Sequence, residues 1–393
     1  MNRLVIYLLM TAVFFTATSE LVIAGILNVL ADQMHISVSL AGQLITAYSL
    51  AFAIGTPIII ASTAKWPRKK LLLSAIVVFV AGNFLSIAGS GFVLLMAARM
   101  LLGISSGVFI VAAFSAAAKM VPVEKIGSAI GTIILGFSSA MILGVPLGVA
   151  LTNMYNWQMI FWFLGAGGMI ILIGLAILLP QIEGDAPVPF RQQLGVLANP
   201  VIFFALMLVL FREAGNSVMF TYIASFLGDI LHRSTAEIGL MMLLFGLAGA
   251  VGSRIGGSAV DKWGSAKLIM IGVAIHVIAL LLLPLMVYSF PLAISLLSLW
   301  IMSMFTLGPA TQTYFIERAP QSSNLIISLN ISVTQVGIAA GASVGGLVVN
   351  WQDTVLYNPL AAGLVLILAL VAAAISIRKS KQQRFPKVNH SSL

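Results

Sequence analysis

The chain has 393 residues, of which 60% are apolar and only 8% are charged. A soluble domain carries about 25% charged residues, so a water-covered globular enzyme is excluded. It contains no cysteine, which also excludes disulfides, thiolate catalysis and cysteine-held zinc.

An apolar helix needs about 20 residues to cross a bilayer, and the apolar runs fall in order as follows. The first half contains spans at 4–30, 38–62, 71–90, 93–119, 127–152 and 158–180. The opening stretch has the Arg3-then-apolar look of a leader, but it continues past Glu20 to about Asn28 and reads as an uncleaved first span. A polar stretch at 181–198, with Glu183, Asp185, Pro187 and Pro189, is the expected linker. The second half contains spans at 199–228, 236–259, 267–288, 291–315, 323–349 and 357–377, followed by a basic tail at 378–393. No strand-like alternation is present and open sheets cannot cross lipid, so all twelve spans read as helices.

Charge placement orients this chain of spans. Seventeen of the 20 Lys and Arg residues fall on one set of span ends, Arg233 alone falls on the other, and Arg99 and Arg212 lie within spans. The positive-inside rule then puts both termini in the cytoplasm of a protein that crosses the plasma membrane many times. The alternation also supports the count of twelve, because a miscounted span would scramble it.

The halves echo each other at a constant offset of 197 residues: Gly55 with Gly252, Lys65-Trp66 with Lys262-Trp263, Lys70-Leu71 with Lys267-Leu268, and Gly144 and Gly148 with Gly341 and Gly345. The expected domains are a six-helix bundle at 1–180, the linker at 181–198, a second bundle at 199–377 and the tail at 378–393. Two duplicated bundles enclose a cavity near the membrane midplane, and rocking one against the other opens it to each side in turn. Pro146 removes a backbone hydrogen bond inside span five and permits a bend there.

A charge at the centre of a spanning helix costs about 2.5–3.5 kcal/mol, so such residues are functional candidates. Four qualify: Glu20, Arg99, Arg212 and Glu213. At 1.5 Å per residue Glu20 lies ~24 Å along span one and Arg99 ~10 Å along span four from the other side, so both sit at similar depth. Glu20 is the expected proton-binding group, with Arg99 adjusting its affinity; the alternative is a structural ion pair between spans one and four. Glu213 is a second proton-binding candidate. Arg212 and Glu213 project ~100° apart on their helix, so only one of them is expected to face the cavity. Polar residues within spans are candidates for holding substrate or for joining helices: Gln43, Tyr48, Arg212, Asn216, Tyr222, Asn330 and Gln335, and beside them Asn83, Ser138, Gln312 and Tyr314. His276 titrates in a suitable range but reads as a packing residue.

Negative signals narrow the function. There is no GxxxxGK[ST] phosphate loop and no HExxH motif, and the four His are scattered. Neither cofactor nor metal is expected, nucleic acid is not an expected partner, and the chain is not expected to be an enzyme. No selectivity-filter loop interrupts a span, which argues against a channel.

The loop Ala64-Lys65-Trp66-Pro67-Arg68-Lys69-Lys70, its second copy Gly257-Ser258-Ala259-Val260-Asp261-Lys262-Trp263-Gly264, the run Arg99, Gly103, Gly107, and Gly144-Val145-Pro146-Leu147-Gly148 together resemble motifs of the major facilitator superfamily, within its twelve-spanner drug/proton antiporter group. Ala41-Gly42-Gln43-Leu44-Ile45, Gly136-Phe137-Ser138-Ser139-Ala140, Pro189-Phe190-Arg191-Gln192-Gln193-Leu194 and Gln335-Val336-Gly337-Ile338-Ala339 are similar to bacterial purine and sugar-type efflux permeases. The resemblance implies a proton-coupled exporter of a small molecule, acting as a monomer, with Lys65, Arg68, Asp261, Lys262, Gly144, Pro146 and Gly148 as gating residues. The sequence departs from the loop motif at Ala64, where the family has Asp, and at Pro67, where it has glycine. Purine or nucleoside export is the nearest alternative, although Arg212-Glu213 is foreign to that group. A uniporter remains open, and a non-transporting membrane sensor or scaffold is the reading from a different class.

Overall fold

The computed structural model describes residues 3–88, 91–122, 125–184, 198–318 and 323–384. Arg191, Lys387, His390 and the run from Pro189 to Leu194 lie outside the described residues. Among those described, twelve helices are long and apolar enough to cross a membrane.

The first bundle contains α1 (Arg3–Met34), α2 (Val38–Ser62), α3 (Arg68–Ile87), α4 (Phe92–Met120), α5 and α6 (Gln158–Leu178). α5 runs from Ile126–Ser139 through a wide π turn, Ala140–Gly144, into Val145–Met154. The π turn sits immediately before Pro146, where the missing N–H was expected to permit a bend. The second bundle contains α7, α8 (Thr235–Trp263), α9 (Ser265–Leu282), α10 (Phe290–Arg318), α11 (Ser323–Gln352) and α12 (Asn358–Arg384). α7 begins with Pro200 behind the Asn199 cap, covers Pro200–Phe220, and continues through Ile223–Ser225 and a second π turn, Phe226–Ile230. α12 is helical as far as Arg384, so the first part of the expected tail is a continuation of the last span.

Twelve crossings put Arg3 and Arg384, the first and last described residues, on one side, here called the terminal face. Within the first bundle α1 packs on α5 and α6, α2 on α4, and α3 on α4 and α6. Within the second, α7 packs on α11 and α12, α8 on α10, and α9 on α10 and α12. The pairings are the same, and the register nearly so. A side chain at Gly144 would meet Thr18 and one at Gly148 would meet Val22, while Gly341 faces Ala214 and Gly345 faces Val218. Adding 197 to 18 and 22 gives 215 and 219, one residue from the observed neighbours. The internal repeat is therefore structural as well as sequential.

The bundles meet along two equivalent crossings, α2 with α11 and α5 with α8. At the second, a Cβ on Gly246 would lie 2.6 Å from the Ile142 Cα, inside the α5 π turn. At the first, the Thr46 and Ser343 hydroxyls are 3.1 Å apart and the Ser39 hydroxyl donates to the Gly346 carbonyl at 2.9 Å. Among the described residues, the hydrogen bonds between bundles run from the membrane centre to the face without termini, and none lies nearer the terminal face. The molecule is closed on that far side.

Candidate functional site

Glu20 lies midway along α1, 7% exposed, and the Gln335 amide of α11 donates to its Oε1 at 2.8 Å. The carboxylate of one bundle is thus held by a side chain of the other. Gln335 Oε1 has no protein partner. A buried carboxylate that keeps its charge requires donors, and the donor observed here is one that moves whenever the bundles move.

Arg99 is fully buried in α4. Its Nη1 donates to the Ser19 carbonyl at 2.7 Å, its guanidinium carbon lies 4.4 Å from the centre of the Tyr48 ring, and its Nε and Nη2 have no protein acceptor. Glu20 and Arg99 are within electrostatic reach of one another, but they form no ion pair. The structural-pair alternative is corrected accordingly: the Arg99 side chain turns toward the backbone of the residue before Glu20 and stacks on Tyr48. Ser19 carried no sequence signal, because its role falls to a main-chain oxygen.

In α7, Arg212 Nε donates to Glu213 Oε1 at 2.9 Å and a second nitrogen, Nη2, closes the pair. Arg212 Nη1 also donates to the Thr311 hydroxyl of α10 at 2.7 Å. The expectation that these neighbours would point apart is therefore corrected. Their Cβ atoms diverge, but the arginine side chain is long enough to fold back around the helix surface. Glu213 lies beside Gly337 of α11 and within electrostatic reach of Glu20, which brings the two acids to opposite sides of one interface. Asn216, one turn on, accepts from the Trp300 indole at 3.0 Å. A Trp in mid-span, away from the membrane interfaces where it is enriched, was the signal that could have identified Trp300.

The remaining candidates scatter. Asn330 is half-buried on α11, with Oδ1 lacking a partner. Gln43 is half-buried near Gly346 at the α2–α11 crossing. Tyr222, expected to line the cavity, does not: it is fully buried toward the face without termini, where its hydroxyl donates to the Ala342 carbonyl at 3.1 Å. Side chains at Gly42, Gly345 or Gly346 would collide with its ring or hydroxyl, so it is a wedge filling the α2–α11 crossing. Tyr314 and Asn83 bond inside their own bundles, to Ser376 and to the Phe79 carbonyl. His276 is fully buried and neither ring nitrogen has a partner.

The loops on the terminal face differ between halves. After α8, Gly264 adopts φ +79°, a conformation open to glycine, and caps the helix by donating to the Val260 carbonyl. Asp261 and Lys262 are exposed there. The equivalent residue after α2 is Pro67 at φ −53°, and proline cannot take the glycine conformation. Lys65 is exposed, Ala64 and Arg68 are buried, and the chain leaving α6 lies against this loop. The Arg68 N–H donates to the Ile182 carbonyl at 2.8 Å, and Lys119 Nζ donates to the Glu183 and Gly184 carbonyls at 2.8 Å each. A Cβ on Gly184 would lie 2.5 Å from the Ala64 carbonyl oxygen. The first residues of the expected linker are thus docked on the first bundle.

Comparison with known proteins agrees with this architecture. The profile described as Major Facilitator Superfamily matches residues 9–342 and, a second time, 205–391. The chain is 34% identical over 388 residues to the uncharacterised MFS-type transporter YbcL of Bacillus subtilis, covering 99% of each. It is 28% identical over 369 residues to the inner membrane transport protein YdhP of Escherichia coli K12, covering 94% of this chain and 95% of that one. In structure it resembles a bacterial homologue of the human lysosomal transporter Spinster, in an inward-facing and occupied conformation, with TM-score 0.79, 16% identity and 97% of both chains covered. It also resembles a D-xylose–proton symporter, with TM-score 0.72, 17% identity and 95% and 96% covered. The chain belongs to the major facilitator superfamily and is a multi-pass membrane transporter.

Proposed function

We propose that the protein is a proton-coupled exporter of a small molecule in the plasma membrane, with the terminal face in the cytoplasm and Glu20 as the coupling carboxyl. The observation that carries this reading is the Gln335–Glu20 hydrogen bond between bundles. In the form closed on the outer side, Gln335 offers a donor to ionised Glu20. Opening that side separates α11 from α1 and withdraws the donor, so the ionised form loses stabilisation and a proton from outside takes its place. Protonation state and bundle arrangement thereby become one equilibrium. Arg99, beneath Tyr48 with two unused donors, is the countercharge available to Glu20 when Gln335 leaves. Glu213 contributes as the second acid of the interface, with Arg212 holding its charge. Substrate binds between the bundles, among Gln43, Asn216, Asn330 and Gln335, and leaves outward; Tyr48, fully buried against Arg99 inside the first bundle, is outside that set. Gly144, Pro146 and Gly148 give α5 its bend, and Lys65, Arg68, Asp261 and Lys262 mark the loops that close the cytoplasmic side. The membrane potential adds ~2.3 kcal/mol per charge per 100 mV to the cycle.

The test uses proteoliposomes with an imposed pH gradient and a panel of candidate substrates. Glu20→Gln is expected to abolish accumulation against a gradient while sparing exchange without one. Wild-type accumulation by Glu20→Gln would overturn the assignment, and substrate flux without any accompanying pH change would make the protein a uniporter.

A further inference from the structure

The 197-residue repeat takes its fullest form at the face without termini, away from the central site. Asn28, Asp32, His35 and Ser37 recur as Ser225, Asp229, His232 and Ser234, each at the same offset. The backbone keeps the correspondence. His35 and His232 both adopt φ 53°, an uncommon conformation outside glycine, and Ser37 and Ser234 both cap the helix that follows.

The two copies touch. The Ser225 hydroxyl donates to the Asn28 side-chain oxygen, and the Asn28 amide donates to the Asp229 carboxylate at 3.4 Å. Residues that are equivalent under a two-fold operation and also in contact must straddle its axis. Asn28 and Ser225 therefore mark the axis between the bundles, and Asp32 and Asp229 flank it. Asp32 and His232 both lie within electrostatic reach of Asp229. The four Asp and His side chains are exposed to water and, among the described residues, form no cluster able to hold a metal ion. Arg233, the base that the sequence puts on this side, is occupied elsewhere: it bonds Glu237 at 3.2 Å and stacks 4.7 Å from the centre of the Phe290 ring. The other elements packed on the turn at Asp229 bring Glu237, held by Ser234 and Arg233, and Tyr357, with Asp353 just before it.

We propose that the two Asp–His copies form a second proton-binding locus, a latch that reads the acidity of the outer compartment and holds the outer side closed when protonated. Ionised Asp32 and Asp229 bring like charges together as the seam closes, which opposes closure. His232 lies within electrostatic reach of Asp229, and a proton on it supplies an opposing charge. A proton on either carboxylate removes the repulsion outright. Both events act in the same direction, so acid favours the closed seam. The designation of this side as outer rests on the proposed orientation; the latch itself is independent of Glu20.

The absence of cysteine permits a clean distance measurement. Tyr155 and Tyr288, 62% and 96% exposed on the far-side loops of the first and second bundle, are replaced by cysteine and spin-labelled in the full chain in nanodiscs. The background is Glu20→Gln, which removes the coupling carboxyl, and Glu213 is the same in every variant compared. The short-distance population is expected to rise about three-fold from pH 8 to pH 5, the scale of an exposed charge pair. Asp32→Asn with Asp229→Asn should hold it high at every pH, and His232→Gln should reduce the response. A pH-invariant distribution in the Glu20→Gln background, or an unchanged response in the double Asp→Asn variant, would overturn the latch. Neither outcome bears on Glu20, which is tested by transport.

Discussion

In the first bundle the carboxylate of Glu20 and the guanidinium of Arg99 sit on different helices without pairing, and the hydrogen bond to Glu20 comes from Gln335 of the second bundle. In the second bundle Arg212 and Glu213 are neighbours on α7 and satisfy each other, with Thr311 completing the set. One acid therefore depends on the relative position of the bundles, while the other carries its countercharge with it. The duplicated frame is close to symmetric in its helix packing, yet its ionisable groups are not. The asymmetry lies in the partners: Glu20 is held across the interface and Glu213 within its own helix.

The strongest attack on this contrast is Arg212→Leu. It strands a half-buried carboxylate, 15% exposed, and is expected to lower stability by about 3 kcal/mol, the low end for breaking a buried pair, with Arg212→Leu/Glu213→Leu recovering most of the loss. Survival of purified protein after heating, followed by size-exclusion chromatography, reads both. Next is a covalent tie across the seam: Thr46→Cys with Ser343→Cys, oxidised, should cut transport by at least about ten-fold and recover with reductant, since lid and domain motions gate turnover. Full transport in the crosslinked form would mean the α2–α11 crossing never opens. Gln335→Leu removes the donor from a buried carboxylate, worth about 1–3 kcal/mol. In the proposed cycle the bond is made in the closed form and lost on opening, so crosslinking at Thr46→Cys/Ser343→Cys should slow about ten-fold, and an unchanged rate would deny the bond its role. The smallest effect is expected at Gly184, where Gly184→Ala crowds the docked chain segment and should cost about 1 kcal/mol, seen as faster proteolysis after α6 with transport nearly intact.

The long-range plan was legible because it rests on periodic or additive signals. Apolar runs of about 20 residues, the segregation of Lys and Arg, and glycines repeating at 197 residues each survive small errors in a boundary. The differences lie where geometry at atomic scale decides. The angle between successive helical residues separated Arg212 from Glu213, but side-chain length reunited them. Tyr222 read as a polar cavity residue, and nothing in its neighbourhood showed that Gly42, Gly345 and Gly346 leave a slot shaped for its ring. Gln335 and Glu20 are 315 positions apart, so their pairing could emerge only from the packed bundles. Pro67 in place of glycine was visible as a departure, but the docking of residues 182–184 on that loop was not.

The two π turns lie where one bundle touches the other: Ala140–Gly144 beneath Gly246, and Phe226–Ile230 beside Asn28. A π turn holds one residue more than the ordinary helical turn it replaces. Tightening it rotates everything beyond by about 100° and passes the surplus residue along the helix, with the hydrogen-bond ladder kept throughout. Each bundle thus carries one surplus residue at its contact with the other, where a change of register would let the helices slide without unravelling inside the lipid.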